Sequence, residues 1–249
     1  MTRRHIWTRM AAVGVWTTAG YILISPAGGA AANEVAHAEA AESSMAVARR
    51  AADGKRLAVP PEHARAGVVF HVAEHVETAA TVVSKTALET FTGRTTAIPG
   101  YLVIDTARRQ PDGPPLVVHG GFRVAAGSIT TGIALRDEHM LSEPWLDAEQ
   151  HPDVTLAIRS VQGLEMASSD DAAGVRVWTG TINAEATIRG ITRPVTITNA
   201  ELRELHAGRV VALRAGVTLT LRDFGMESTT IGVIVGETVR VEATLVLEK

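Results

Sequence analysis

Cysteine is absent from all 249 residues. That one absence removes disulfides, thiolate zinc sites, iron–sulfur clusters and a lipid-modified N-terminal cysteine. Aromatic side chains make up 4% of the chain, too few for a base-stacking platform. Neither sign of charge dominates. Lys and Arg number 24 against 27 Asp and Glu, a net charge of −3, without the basic footprint that nucleic-acid binding needs. Long apolar runs are scarce too: the stretch from Met10 to Ile24 falls short of the roughly 20 residues of a membrane-spanning helix.

What is present begins with an address. Arg3, Arg4 and Arg9 precede that apolar run, and a small-residue region from Pro26 to Ala32 follows it, so residues 1–32 read as an export signal peptide. The Arg3-Arg4 pair also resembles a twin-arginine start, although ordinary secretion is the simpler expectation. The destination expected is periplasmic or secreted. Residues 33–78 form an Ala/Glu-rich linker or loosely packed segment, since a helix whose apolar positions are mostly Ala buries little surface. Within it, His71-x-x-Glu74-His75 is similar to an inverted zinc-protease motif. Valines surround it and no third ligand lies nearby, so a linker or strand is the expectation and no metal is assigned.

From residue 79 to 249 the apolar period is two. Val211, Leu213, Ala215, Val217, Leu219 and Leu221 alternate with more polar neighbours, as do Val239, Val241, Ala243, Leu245 and Leu247. Such alternation puts one face in apolar surroundings and the other in water, as in antiparallel sheets. Further strands are expected near 84–91, 100–105, 115–125, 128–135, 154–162, 175–188 and 194–205, separated by turns such as Arg189-Gly190. The expected fold is all-β: an extended antiparallel, lipocalin-like barrel of about eight strands, closed because closure removes exposed edges. A barrel of that size fills with its own side chains or holds one small ligand. Inward candidates are mostly Val, Ile, Leu and Ala, which leans towards a cavity for an apolar ligand.

Between two of these strands lies a charged stretch, Arg136 to Leu156. Ser142 followed by Glu143 and Pro144 predicts a helix N-cap and first turn, placing a short helix near 142–150 with Leu141, Trp145 and Ala148 facing the core. Continuing the alternation of Ile129, Thr131, Ile133 and Leu135 aims Asp137 inward and Arg136 outward; Leu219 and Leu221 likewise aim Asp223 inward and Arg222 outward. A carboxylate buried alone costs several kcal/mol, so Arg136, Asp137, His139, Arg222 and Asp223 are expected to form a structural clasp at the barrel end. Asp137, His139 and Ser142 also hold the residue types of a hydrolytic triad, but Ser142 is better used as a cap and no G-x-S-x-G elbow occurs. No catalytic residue is assigned.

Four segments carry a family resemblance. Arg136-Asp137-Glu138-His139-Met140-x-Ser142, with Trp145-Leu146-Asp147 and His151-Pro152-Asp153-Val154, resembles the hallmark of the YceI-like family, R-D-x-H-L-x-S-x-x-F-x-D followed by Y-P-x-I. Gly180 with Ala186 to Val195 is similar to its G-x-L-T-I-R-G-V-T-K-P-V segment. Leu221-Arg222-Asp223-Phe224-Gly225 and Val235-Gly236-Glu237-Thr238-Val239 resemble its last two signatures. Trp145 stands where the family usually has Phe, His151 where it has Tyr, and Ala186 where it has Leu, which could widen the cavity.

The resemblance implies a non-enzymatic barrel that binds polyisoprenoid or other long amphiphilic chains. The expectation is therefore an exported carrier of an isoprenoid or fatty amphiphile, such as an isoprenoid quinone, with no cofactor and no nucleic-acid partner, a homodimer being left open. Expected cavity-lining positions are Phe91, Ile133, Leu135, Leu141, Trp145, Ile158, Ile182, Ala184, Ala186, Leu213, Val217, Leu219 and Phe224. The alternatives are a filled barrel acting as an interaction module and a hydrolase using His139.

Overall fold

The computed structural model describes residues 56–73 and 78–249. The export signal and the Glu74 and His75 of the inverted motif lie outside the described residues, among which no cluster of three metal-ligating side chains occurs.

Among the described residues ten strands follow in order: β1 (Val68–Val72), β2 (Ala79–Lys85), β3 (Thr90–Thr95), β4 (Gly100–Ile104), β5 (Val117–Ala125), β6 (Asp153–Asp170), β7 (Val175–Ile188), β8 (Ile191–Leu205), β9 (Val210–Thr220) and β10 (Thr238–Glu248). Two α-helices among the described residues accompany them, α1 (Pro61–Ala64) and α2 (Ala134–Leu141). Every pairing between strands is antiparallel. β1 and β2 run one after the other along β10, while β4 and β3 lie along β1 and β2 in turn. Each pair therefore acts as one long interrupted strand. Counted so, the sheet is a closed meander of eight strands, with β10 returning to β1. Closure leaves no long edge to template aggregation.

The β7–β8 connection shows how local chemistry sets register. Ile188 faces Ile191 across a two-residue turn in which Arg189 (φ 52°) and Gly190 (φ 70°) are both left-handed, the hairpin geometry that matches strand twist.

Three expectations need correction. The barrel begins at Val68, not near residue 79: the Val68–Val72 segment, short and interrupted by His71, reads weakly as a strand by itself but gains partners on both sides from β4 and β10. The strand expected at 84–91 spans a turn, because Thr86 closes it with its hydroxyl on the Leu88 and Glu89 amides. Between 128 and 150, the strand expected at 128–135 gives way to a turn and then α2, and Ser142 ends that helix instead of starting one. Asp137 explains the switch. Its carboxylate reaches back to accept from the Thr131 amide (2.7 Å) and the Thr130 hydroxyl (2.6 Å), as well as the Thr131 hydroxyl, wrapping the chain into a helical entry.

On the outer wall, β4 is buried on both faces. Leu102 and Ile104 enter the core, while Tyr101 lies under α1, its hydroxyl 2.8 Å from His63 Nδ1. The His63 ring stacks on His119 with centroids 3.9 Å apart and planes 7° from parallel. Burial, then the neighbouring His63, holds the His119 pKa below its ordinary value against the opposing pull of Glu62.

Candidate functional site

Inward-facing side chains change size along the barrel axis, and the change creates a void. In β9, β10 and β2, Ala215, Ala243 and Ala80 stand side by side in register. The next layer on one side is Leu213 opposite Leu245, then Val211 opposite Leu247, all buried. On the other side Val217, Val241 and Val82 continue towards the open end. Alanine cannot fill a barrel of this girth, so a cavity of about 660 Å³ opens above the leucines. That volume lies within the roughly 300–1,000 Å³ of small-molecule sites.

The other end is sealed. Trp178, 3% exposed, donates its indole N–H to Glu204 at 3.1 Å. Arg109, from the segment between β4 and β5, grips both Glu204 oxygens at 2.6 and 2.8 Å and also donates to the Gly113 carbonyl. All three side chains of this plug are thus partnered, which is what makes buried charge tolerable there. Above it pack Phe70, Leu102, Ile104, Leu202 and Leu247.

Around the open end, α2 and the turns after it form one side, and the loop between β9 and β10 forms the other. Trp145 and Leu146 pack on a second apolar cluster that includes Leu221, Phe224, Met226 and Ile231. Ionisable side chains on the cavity lining are few: Glu89, Arg136 and His139. Arg136 donates to Glu89 and lies over the Phe91 ring, its guanidinium carbon 5.0 Å from the centroid. That cation–π contact and ion pair tie α2 to the β2–β3 hairpin across the mouth.

Of the positions expected to line a cavity, Phe91, Ile133, Leu135, Trp145, Ile158, Ile182, Ala186, Leu213, Val217 and Leu219 do so. Leu141, Ala184 and Phe224 do not. Leu141 is displaced because the helix runs over 134–141, which turns Met140 to the cavity in its stead. Ala184 is buried between Ile158 and Val195, its partners on either side, and is too short to reach past them. Phe224 closes a 3₁₀ turn, Leu221–Phe224, in which residues three apart share a face; Leu221 and Phe224 both go inward and pack. Ala80, Ala215, Ala243 and Leu245 line the cavity as well, outside the expected set, although the alternation of β9 and β10 already places three of them on the inner face.

The same 3₁₀ turn undoes half of the clasp. Strand alternation stops at Thr220, so Arg222 and Asp223 point to solvent and make no side-chain hydrogen bond or ion pair among the described residues. The tie at this corner is Arg189, which donates to the Gly225 carbonyl. Arg136 and Asp137 do bind neighbouring segments, while His139 faces the cavity. Nor is a hydrolytic triad assembled: the Ser142 hydroxyl donates to the His139 carbonyl at 2.6 Å, and Asp137 is occupied by Thr130 and Thr131.

Residues 58–247 match the family described as the YceI-like domain. The UPF0312 protein of Pseudomonas putida strain F1 is 30% identical over 103 residues, 40% of this chain and 48% of its own length. The UPF0312 protein of strain W619 is 26% identical over 103 residues as well. The chain thus spans about half the length of these curated relatives. Among solved structures, Burkholderia cenocepacia BcnA superposes with a TM-score of 0.51 at 15% identity, covering 68% of this chain and 95% of that one. A polyisoprenoid binding domain from Saccharophagus degradans gives 0.50 at 16% identity, covering 72% and 97%. At these identities the likeness speaks for the fold.

Proposed function

We propose the following function for a chain that belongs to the YceI-like family: it is an exported, non-enzymatic carrier that holds one polyisoprenoid or comparable long apolar chain inside its barrel. The observation that carries this reading is the void itself, about 660 Å³, lined mostly by aliphatic and aromatic side chains and open at one end. A dry cavity of about 150 Å³ accommodates one benzene, roughly 25 Å³ per carbon, so this one takes on the order of 25 carbons, about five isoprene units. At about −0.3 kcal/mol per heavy atom for a ligand of that size, affinity falls near the micromolar range. No special polar contact is needed, because each buried CH₂ contributes about 0.8 kcal/mol gross. The Saccharophagus degradans neighbour is a polyisoprenoid binding domain, which supports the same ligand class.

A filled barrel serving as an interaction module fits less well, since a solid core would have left no such space. Export, to the periplasm or beyond, is supported by the basic-then-apolar pattern of residues 1–32 and is tested by N-terminal sequencing of the mature protein. The ligand is tested by mass spectrometry of lipids extracted from protein purified from its native source, followed by titration with prenyl alcohols. A co-purifying chain lipid, or saturable one-to-one binding of an added prenyl alcohol, is expected. Absence of both overturns the carrier.

A further inference from the structure

Seven large apolar side chains are conspicuously exposed among the described residues, and five of them surround the cavity mouth: Leu88, Ile133, Leu135, Val233 and Ile234, each 47–78% exposed. They come from three separate segments. Leu88 tips the β2–β3 turn, Ile133 and Leu135 begin α2, and Val233 and Ile234 tip the β9–β10 loop. The segments adjoin one another. Arg136 of α2 binds Glu89 beside Leu88, and the Gly236 amide of the β9–β10 loop donates to Ser84 of β2 at 2.9 Å. Ile133, Leu135 and Ile234 also line the cavity, so outer rim and inner wall are one continuous apolar surface.

We propose that this rim is a membrane-docking surface, through which the barrel mouth rests in the outer layer of a lipid bilayer while an apolar chain passes between bilayer and cavity. The inference rests on the carrier reading. Three observations favour lipid over a protein partner. The exposed apolar area is on the order of a few hundred Å², comparable to a functional patch but below the roughly 800 Å² per partner of a stable protein interface. It sits on two loop tips and the start of a helix, protrusions that suit shallow insertion into a bilayer. And it is continuous with the cavity, so a chain leaving a bilayer there never crosses water.

Charge specifies the kind of surface. On the three segments that carry the rim, Lys85, Arg136 and Arg222 are outnumbered by Glu89, Asp137, Glu138, Glu143, Asp223, Glu227 and Glu237. These segments are therefore acidic in balance and lack the basic cluster that anchors to anionic lipid, and docking to neutral, zwitterionic bilayers should be at least as strong as to anionic ones.

The cysteine-free sequence offers a direct test, because one introduced thiol is a unique labelling site. Leu88→Cys and Val233→Cys report on the rim, and Ala172→Cys, in the β6–β7 turn at the sealed end, serves as the control in the same chain. Each carries an environment-sensitive fluorophore and meets phosphatidylcholine vesicles containing nitroxide lipids. Quenching of at least about twofold is expected at both rim sites, not at Ala172→Cys, and without increase when phosphatidylglycerol is added. In parallel, a Leu88→Glu/Val233→Glu variant should transfer a dansyl-labelled prenyl alcohol to vesicles about tenfold more slowly, while binding the same probe unchanged in vesicle-free solution. Rim labels that remain in water on vesicles, together with transfer indifferent to the variant, overturn the proposal. So does concentration-dependent protection of the rim without vesicles, which would assign it to a second copy of the chain. Failure of the vesicle-free binding assay instead removes the carrier reading, and the quenching pattern then judges the rim by itself.

Discussion

The two ends of the barrel share one strand pattern and reach opposite outcomes. At the sealed end, β7 to β10 turn Trp178, Leu202, Val211 and Leu247 inward, and these large side chains meet in the middle over a neutralised Arg109–Glu204 plug. At the open end the same strands turn Ala186, Ala215, Val217 and Ala243 inward, and a cavity remains. A closed barrel has a nearly constant girth, so side-chain volume along the axis decides which half is a core and which half a container. Polar chemistry is divided in the same way: bidentate and buried where the structure must not open, sparse and at the rim where something must enter.

The sharpest way to break this contrast is to attack the plug. Glu204→Ala strands the Arg109 guanidinium and the Trp178 N–H in a mostly buried setting, where breaking such a pair typically costs about 3 kcal/mol or more. A loss of that size in urea unfolding is expected, and a variant with unchanged midpoint would mean that the plug is not a structural element.

A paired substitution compares the halves directly. Ala200→Leu adds bulk to the packed half, 3% exposed in the core, and should cost about 1–3 kcal/mol through overpacking. Ala243→Leu adds the same bulk to the void, and should leave stability within about 1 kcal/mol while weakening prenyl alcohol binding about tenfold. Equal stability losses at the two sites would show that the cavity is not empty space.

The smallest effect lies on the outer wall, at the stacked His63 and His119. Because burial depresses the His119 pKa, the unfolded chain binds more protons than the native one below about pH 6.5. The stabilising contribution of the neutral ring is therefore complete above that pH and is lost as pH falls through the depressed native value. Partial solvent exposure keeps the change in thermal midpoint between pH 7 and pH 5 to on the order of 1–2 °C. His119→Gln should flatten that part of the profile; an unaltered slope would show that the stack has no role in it.

Much of the container is legible in the amino-acid pattern. Alternation in β9 and β10 separates inner from outer positions over the whole strand, and of the ten expected lining residues that do line the cavity seven lie on strands, which in an extended sheet cannot rotate their faces; Ile133, Leu135 and Trp145 reach it from α2 and the turns beside it. The misses cluster where the period changes. Extrapolating two-residue alternation into Arg222-Asp223 fails because a 3₁₀ turn follows Thr220, and extrapolating it from Ile129 to Asp137 fails because two threonine hydroxyls recruit Asp137 into a helical entry. Neither turn leaves a hydrophobic period to read. Ala80 is illegible for a different reason: its significance is its alignment with Ala243, a neighbour 163 positions away in the chain.

By itself, then, the sequence determined what is local and periodic: strands, tight turns, the inward face, and a family pattern read from four short segments. Tertiary structure decided what depends on sums over distant strands. Three alanines make a void only when register brings them into one layer, Val68–Val72 is a strand only with β4 and β10 beside it, and Arg109 meets Glu204 only across a closed barrel. Such contacts join residues far apart in the chain, and neither side of the pair carries a local signal of its partner.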